Sequence, residues 1–384
     1  MLRYLSAGES HGFALTAIIE GLPAGISIDT DYINERLKRR QGGYGRGGRM
    51  QIEKDQVDLI SGVRSGLTTG SPLTLQVKNK DWENWQEIMS PHPSEEIKKQ
   101  RVTKPRPGHA DLSGAIKYNH QDMRNILERA SARETAIRTA VGAVAEAFLK
   151  IFGVRLIAHV ISIGDVQLPQ TDYDKLSAAV YDNPLYCMDN EVSTSMIAAI
   201  DKAKKAGDSL GGVFEVVVDG LPIGLGSHVH WDRRLDGRLA KAVMSIQAIK
   251  GVEIGLGFKS AEMLGSMVHD QIYHNEEKGF YRKTNNAGGI EGGISNGEIL
   301  SIKAAMKPIP TLYSPLASVD FITKEPYQAS VERSDNCAVP AASVVGQAVV
   351  AWELACAFLE KFSGDHLSEV DRNFRSYQQY LKKL

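Results

Sequence analysis

Short runs of apolar and β-branched residues recur along this 384-residue chain at Leu15–Glu20, Leu73–Val77, Val154–Ile163, Val213–Val218 and Ile299–Lys303, and each predicts a β-strand. A helical period takes over after Ser131. Ala136, Ile137, Ala140, Val141, Val144, Ala145, Phe148 and Leu149 are spaced three and four apart, which predicts a buried helix of about five turns. Ser131 with Glu134 reads as a capping box at its start, and Gly153 as its stop. A second buried helix is predicted from near Pro340 through Val344, Val345, Val349, Leu354 and Phe358 to Gly364. Small residues on both helices permit close packing. The helices cluster instead of alternating regularly with strands, so the expected class is α+β, not a doubly wound nucleotide fold.

Two pairs of segments repeat at nearly one offset. Gly21-Leu22-Pro23 returns as Gly220-Leu221-Pro222, and Glu128-Arg129 returns as Glu332-Arg333, each of the latter preceding one of the long Ala-rich helices. The offsets, 199 and 204 residues, point to an ancient duplication with halves at roughly 1–155 and 210–365 of a single domain, 1–384. Such halves would face each other across a pseudo-two-fold axis, with a cleft drawing residues from both. The polar stretch from about Gln167 to Asp208 reads as an insertion between them.

Charge changes the picture locally, not globally. A formal net charge of −1 and a pI near 6.8 exclude a general nucleic-acid binder, which needs a broad basic face. Three cysteines, Cys187, Cys337 and Cys356, make neither a disulfide framework nor a metal-ligand spacing. No apolar run reaches membrane-spanning length and MLRYLSAGESHG lacks the marks of a leader, so the expected location is cytoplasmic. Residues 38–49, KRRQGGYGRGGR, nevertheless gather five cations among five glycines. Arg39, Arg40, Arg46 and Arg49 offer planar forks for phosphate or carboxylate, and the glycines let backbone N–H groups approach the same oxygens. That combination implies an anionic substrate, the alternative being a solvated surface loop. Gly43-Tyr-Gly45-Arg-Gly-Gly48 matches G-x-G-x-x-G, but it follows a predicted helix, Asp31–Arg40, and precedes an extended run, Met50–Ile60. A dinucleotide fingerprint needs the reverse order.

Candidate proton chemistry sits in two loops, Ala7-Gly8-Glu9-Ser10-His11-Gly12 and Pro105-Arg106-Pro107-Gly108-His109-Ala110-Asp111. Each sets an imidazole among turn residues with carboxylates close by, a setting that suits a proton donor. Ser10 beside His11 is no hydrolase dyad, since no nucleophile elbow surrounds it. His228 and His230 lack a third metal ligand nearby, and nothing marks Cys337 as reactive.

The segments GESHG at 8–12, RRQGGYGRGGRM at 39–50, RPGHAD at 106–111, ERASARET at 128–135, GLG at 255–257, TNNAGGIEGG at 284–293, MKPIPT at 306–311 and VERSD at 331–335 together resemble the motif series of the chorismate synthase family, in family order and over almost the whole chain. The resemblance implies a β-α-β sandwich with an internal repeat, assembled as a homotetramer. It also implies elimination of phosphate from 5-enolpyruvylshikimate 3-phosphate to give chorismate, the last common step of the shikimate pathway, with reduced FMN required although there is no net redox change. Some members also oxidise NADPH to reduce their own flavin. No long insertion places this chain among those, so a separate flavin reductase is the expected partner.

By the same resemblance, Ser10, Arg40, Arg46, Arg49, Arg106 and Arg133 are expected to hold the substrate. FMN contacts are expected at Arg129, Ala130, Ser131, Gln247, Ala248, Gly292, Lys307, Pro308, Ile309, Pro310, Thr311 and Arg333. His11 would protonate the departing phosphate, His109 would protonate or neutralise the reduced flavin near N1, and Asp335 would position flavin N5 or relay the ring proton. Two further readings are an FMN/NADPH oxidoreductase, which would consume NADPH without the phosphorylated substrate, and an RGG-type RNA-binding protein. The arginine-glycine tract is short for the latter and lies between a helix and an extended run.

Overall fold

In the computed structural model, residues 1–47, 54–277, 279–328 and 335–384 are described. The N-terminal sheet contains β1 (Arg3–Ala7), β2 (Ala14–Glu20), β3 (Val57–Ser61) and β4 (Leu73–Lys78), all antiparallel in the order β1-β2-β4-β3. Its strands alternate: Leu15, Ala17 and Ile19 of β2 and Leu73, Leu75 and Val77 of β4 are buried, while Ile18 and Glu20 face outward. The second sheet contains β5 (Arg155–Ile163), β6 (Val166–Gln167), β7 (Gly212–Asp219), β8 (Ile249–Ile254) and β9 (Leu300–Met306), antiparallel in the order β8-β9-β7-β5-β6. The five predicted strands are thus β2, β4, β5, β7 and β9. Of the other four, β1, β6 and β8 gave no such signal, and β3 falls almost wholly within the run expected only to be extended.

The framework helices are α1 (Thr30–Gln41), α2 (Asp111–Tyr118), α3 (Arg124–Ala130), α4 (Thr135–Ile151), α5 (Asn190–Lys205), α6 (Leu235–Met244), α7 (Val339–Lys361) and α8 (Leu367–Leu381). Between the sheets lie α4 and α7, α4 packed on β2 and β4 and α7 on β5 and β7, so the layers run sheet, helices, sheet. This is the α+β sandwich expected. One glycine on each central helix sets the spacing of the layers. A Cβ on Gly142 of α4 would lie 2.4 Å from Ala348 of α7, and one on Gly346 would lie 2.4 Å from the Phe214 ring of β7. α7 is apolar around its whole circumference because it touches protein on every side. Contrary to the expectation that no apolar run is long enough, α7 has the length and composition to cross a membrane, yet 89% of that apolar stretch is buried in the core.

One expectation at the start of α4 is corrected. Ser131 accepts from the N–H of Arg133, two residues on, and caps a 3₁₀ turn at Ala132–Glu134. No capping box forms, because that turn tightens the chain before the α-helix begins, and Glu134 pairs instead with Gln247 and Arg138. The polar stretch 167–208 packs into the same core through Met196 and Ile200 of α5. It is pinned to the outer face of the second sheet where Thr171 and Tyr173 donate to Glu215, which is fully buried beside His159. Burial would raise that carboxyl, but His159, Ser301 and Thr171 hold it down to about 2.

Candidate functional site

A cleft of about 500 Å³ opens at the N-terminal ends of α4 and α7. Exposed N–H groups and the positive ends of two helix dipoles meet there, which favours anions. Apolar side chains in the lining include Ile246, Met306, Ala341 and Val345. Against these stand five cations, Arg40, Arg46, Arg106, Arg133 and Lys307, with Asp335 the one carboxylate among the described lining residues.

The cations are held by second partners, so their forks are preset. Arg40 donates through Nε to Thr135 at 2.8 Å and through Nη2 to the Ala132 carbonyl at 2.9 Å. Buried Asp55 takes Arg133 Nη1 at 2.5 Å and lies 3.6 Å from Arg40, so one carboxylate braces two guanidiniums and leaves the pair net positive. Arg46 lies 2.6 Å from Asp335, which also accepts from the Gly47 N–H at 2.6 Å. Loop glycines make this approach possible: at φ +96° a Cβ on Gly43 would sit 2.7 Å from Pro340, and at φ +89° one on Gly45 would sit 3.0 Å from Cys337. The segment therefore seats on the start of α7, following α1 as its sequence order implies.

Both predicted histidines line the cleft, and each has a carboxylate on Nδ1. His11 lies 3.0 Å from both oxygens of Glu128, which arrives from α3. His109 lies 2.5 Å from Oδ1 of Asp111, the first residue of α2. An arginine braces each carboxylate, Arg124 on Glu128 at 3.2 Å and Arg106 on Asp111 at 2.9 Å. Burial would raise both carboxyls, but hydrogen bonds from the paired imidazole, with the adjacent arginine, hold them below the usual range. Both are therefore ionised acceptors near neutral pH, and each imidazole keeps its Nδ1 proton.

Of the other predicted residues, Ser10, Ala130, Ser131, Gln247, Ala248, Lys307, Ile309, Pro310 and Thr311 line the same cleft. Ser131 Oγ donates to Ser10 Oγ at 3.2 Å, and Lys307 Nζ donates to the Gly108 carbonyl at 2.6 Å, joining the two halves of the wall. Ala248 has φ +68°, a left-handed conformation that non-glycine residues seldom adopt, in the tight turn from α6 into β8. Three predicted contacts do not line the cleft. Pro308 lies between lining neighbours, the Arg129 guanidinium bonds Ser6 and the Gly8 carbonyl, and Gly292 sits in the hairpin of Ile290–Glu291 and Ile294–Ser295. Arg49 and Arg333 lie outside the described residues.

Cys337 is fully buried beside the loop, and burial pushes its thiol up to about 11, so it stays protonated. No cluster that could hold a metal occurs among the described residues, His228 and His230 included. Glu128, Asp55 and Trp85 carry no local signal in the sequence that ties them to the site. Trp85 stacks on the His11 ring at 3.8 Å and 25°.

Comparison of the sequence and the overall fold with known proteins points to one family. The family model for chorismate synthase covers residues 2–359. Chorismate synthase of Geobacter metallireducens is 63% identical over 393 residues, and that of Desulforamulus reducens 59% identical over 387, each alignment covering all of both chains. A crystal structure of chorismate synthase, 45% identical, superposes with a TM-score of 0.82 over 100% of this chain and 99% of the other. With the model spanning nearly the whole length and full-length relatives near 60% identity, the chain belongs to the chorismate synthase family and is a lyase of that family.

Proposed function

We propose that the cleft holds reduced FMN and 5-enolpyruvylshikimate 3-phosphate together and carries out the anti-1,4-elimination of phosphate that yields chorismate. The observation that carries this reading is the lining itself, five cations and two carboxylate-held imidazoles around an apolar wall. A substrate with a phosphate and two carboxylates, beside a flavin phosphate, needs that excess of positive charge. The residues also fit a flavin: Ile246, Met306, Ala341 and Val345 offer a flat ring an apolar surface, and the helix ends and Lys307 suit its anionic parts. Reduced flavin, when bound, supplies electron density to the allylic system and takes it back.

Around that chemistry the chain's own groups orient ligands and move protons. Arg40 and Arg133, locked by Asp55, Thr135 and the Ala132 carbonyl, grip substrate anions without having to reorganise. His11 donates a proton to the departing phosphate, which would otherwise leave as a poorly stabilised trianion. His109, backed by Asp111 and next to Arg106, faces the flavin side with a positive charge or a proton. Asp335, held at the cleft by Arg46 and the Gly47 N–H, would position the flavin N5 or take up the ring proton and pass it on to solvent. We also assign the pseudo-two-fold reading to this fold. It is supported by α4 and α7 beginning 204 residues apart (339 − 135), as are Gly142 and Gly346 (346 − 142).

Exposed apolar side chains at Phe258, Leu264, Met267, Ile272 and Phe280 support assembly as a homotetramer. A cytoplasmic setting with a separate flavin reductase, itself fed by NADPH, completes the reading. The test is an anaerobic assay of the purified protein. Dithionite-reduced FMN should support chorismate formation and oxidised FMN should not. Full-rate turnover without flavin would overturn the proposal, and NADPH consumption without substrate would favour an oxidoreductase.

A further inference from the structure

Two side chains that do not line the cleft, Glu128 and Trp85, account for how His11 is held. The carboxylate in the same loop, Glu9, is exposed and is not the ring's partner. Glu128 comes instead from α3, 117 positions away, and is only 2% exposed. It takes three donors from the loop: the Ser10 N–H on its carbonyl at 3.0 Å, the His11 N–H on Oε2 at 2.8 Å, and His11 Nδ1 at 3.0 Å. Backbone and ring of one residue are thus fixed by a single carboxylate. Across the ring face lies the Trp85 indole, and the same indole carries the Arg124 guanidinium at 5.3 Å. Arg124 in turn donates to Glu128. Imidazole, carboxylate, guanidinium and indole close on one another.

The geometry points to Glu128 as the positioning residue of His11, with Trp85 as its cover. An ionised carboxylate only accepts, so the ring must present N–H at Nδ1, which makes Nε2 the nitrogen that exchanges a proton with a ligand. The indole restrains rotation about χ2 and keeps water from one face of the ring, and its negative π-face favours a neighbouring cation. Two and three positions further on, Ala130 and Ser131 line the cleft, and Ser131 bonds Ser10. The element that orients the donor is therefore continuous with the cleft wall, so a displacement of that wall reaches His11 through one covalent turn. This inference rests on the reading of His11 as the proton donor.

The test joins a double-mutant cycle to nitrogen spectra. Glu128→Gln keeps size and one acceptor but loses the charge that dictates the tautomer. It should lower kcat about 10- to 100-fold, with KM and FMN affinity moving less than about threefold, and should have no further effect in a His11→Ala background. Glu128→Asp, which restores the charge one methylene short, should recover part of the loss. Trp85→Ala should lower kcat by about 10-fold and Trp85→Phe by less than about threefold, because phenylalanine still stacks.

Selectively 15N-labelled histidine, with the His11 signal assigned by its loss in His11→Ala, should show Nδ1 protonated at pH 8. In Glu128→Gln it should show mixed tautomers. Equal losses from Glu128→Gln with and without His11, or a wild-type ring protonated at Nε2 and not at Nδ1, overturns the assignment. If His11→Ala alone turns over like the wild type, the proton-donor reading fails, while the spectra still decide whether Glu128 sets the ring.

Discussion

The two imidazoles of the cleft are held by the same chemistry and by opposite architectures. His109 takes its carboxylate from Asp111, two residues on in the same turn, and its guanidinium from Arg106, three residues back. His11 takes both from α3, more than a hundred positions away, and adds an indole from a third segment. Side-chain exposures are nearly equal, 15% for His11 and 18% for His109, so burial does not distinguish them. What differs is what must be folded before each works. The His109 pair needs only its own turn, whereas the His11 pair exists once the N-terminal sheet and α3 have come together. A contact closed over a long loop reports tertiary packing, and one closed over two residues reports local sequence.

The sharpest way to break the comparison is to remove the rings. His11→Ala and His109→Ala should each lower kcat by about 10- to 1000-fold while FMN binding stays within a few-fold, as measured by anaerobic steady-state assay and flavin titration. A variant that retained wild-type kcat would remove its ring from the chemistry, and the symmetry of the two pairs would then be structural only.

The bracing arginines should separate next. Arg106 lines the cleft and Arg124 does not, although each donates to a carboxylate that holds an imidazole. Lysine keeps the charge but cannot make parallel bonds from one plane. Arg106→Lys is therefore expected to raise KM for the substrate about 10-fold or more, with kcat falling as well. Arg124→Lys should leave KM within about twofold and lower kcat about 3- to 10-fold, since it reaches His11 only through Glu128 and the Trp85 indole. Equal KM effects would mean that Arg106 braces and does not bind.

The same contrast explains what the sequence disclosed. Asp111 stands in the motif with His109, and its role could be read from spacing. Glu128 was visible only as half of a repeated Glu-Arg pair, because nothing local ties position 128 to position 11. Asp55, braced between Arg40 and Arg133, was hidden for the same reason. In the fold, strands whose apolar runs are buried on at least one face were legible: Leu15, Ala17 and Ile19 of β2 fix its face by period two. Strand β1, with sequence RYLSA at a sheet edge, exposes Leu5 and Ala7 and carries too little apolar pattern to declare itself. The start of α4 misled because the Ser131–Glu134 spacing is common to a capping box and to a 3₁₀ turn, and only backbone geometry tells them apart.

The smallest expected effect is on acid stability, and it sharpens the comparison most finely. Both carboxyls sit below their usual range, so each contributes stability that is present above the unfolded-state pKa, near 4, and is lost as pH falls through the lower folded value. Asp111→Asn and Glu128→Gln remove that contribution. The thermal midpoint should therefore drop relative to wild type by about 1–3 °C at pH 6, and the gap should narrow steadily below pH 4 as the wild-type carboxyls protonate. Because the Glu128 carboxylate also accepts the backbone N–H and the ring Nδ1–H of His11, in a loop 117 positions distant, its variant should lose more than that of Asp111, whose bonds close only its own turn. Midpoints followed by circular dichroism from pH 3 to 7 decide the matter. A gap that stays constant with pH would mean that the two carboxylates act through shape alone, and a larger loss at Asp111 would reverse the assignment of which histidine depends on the tertiary fold.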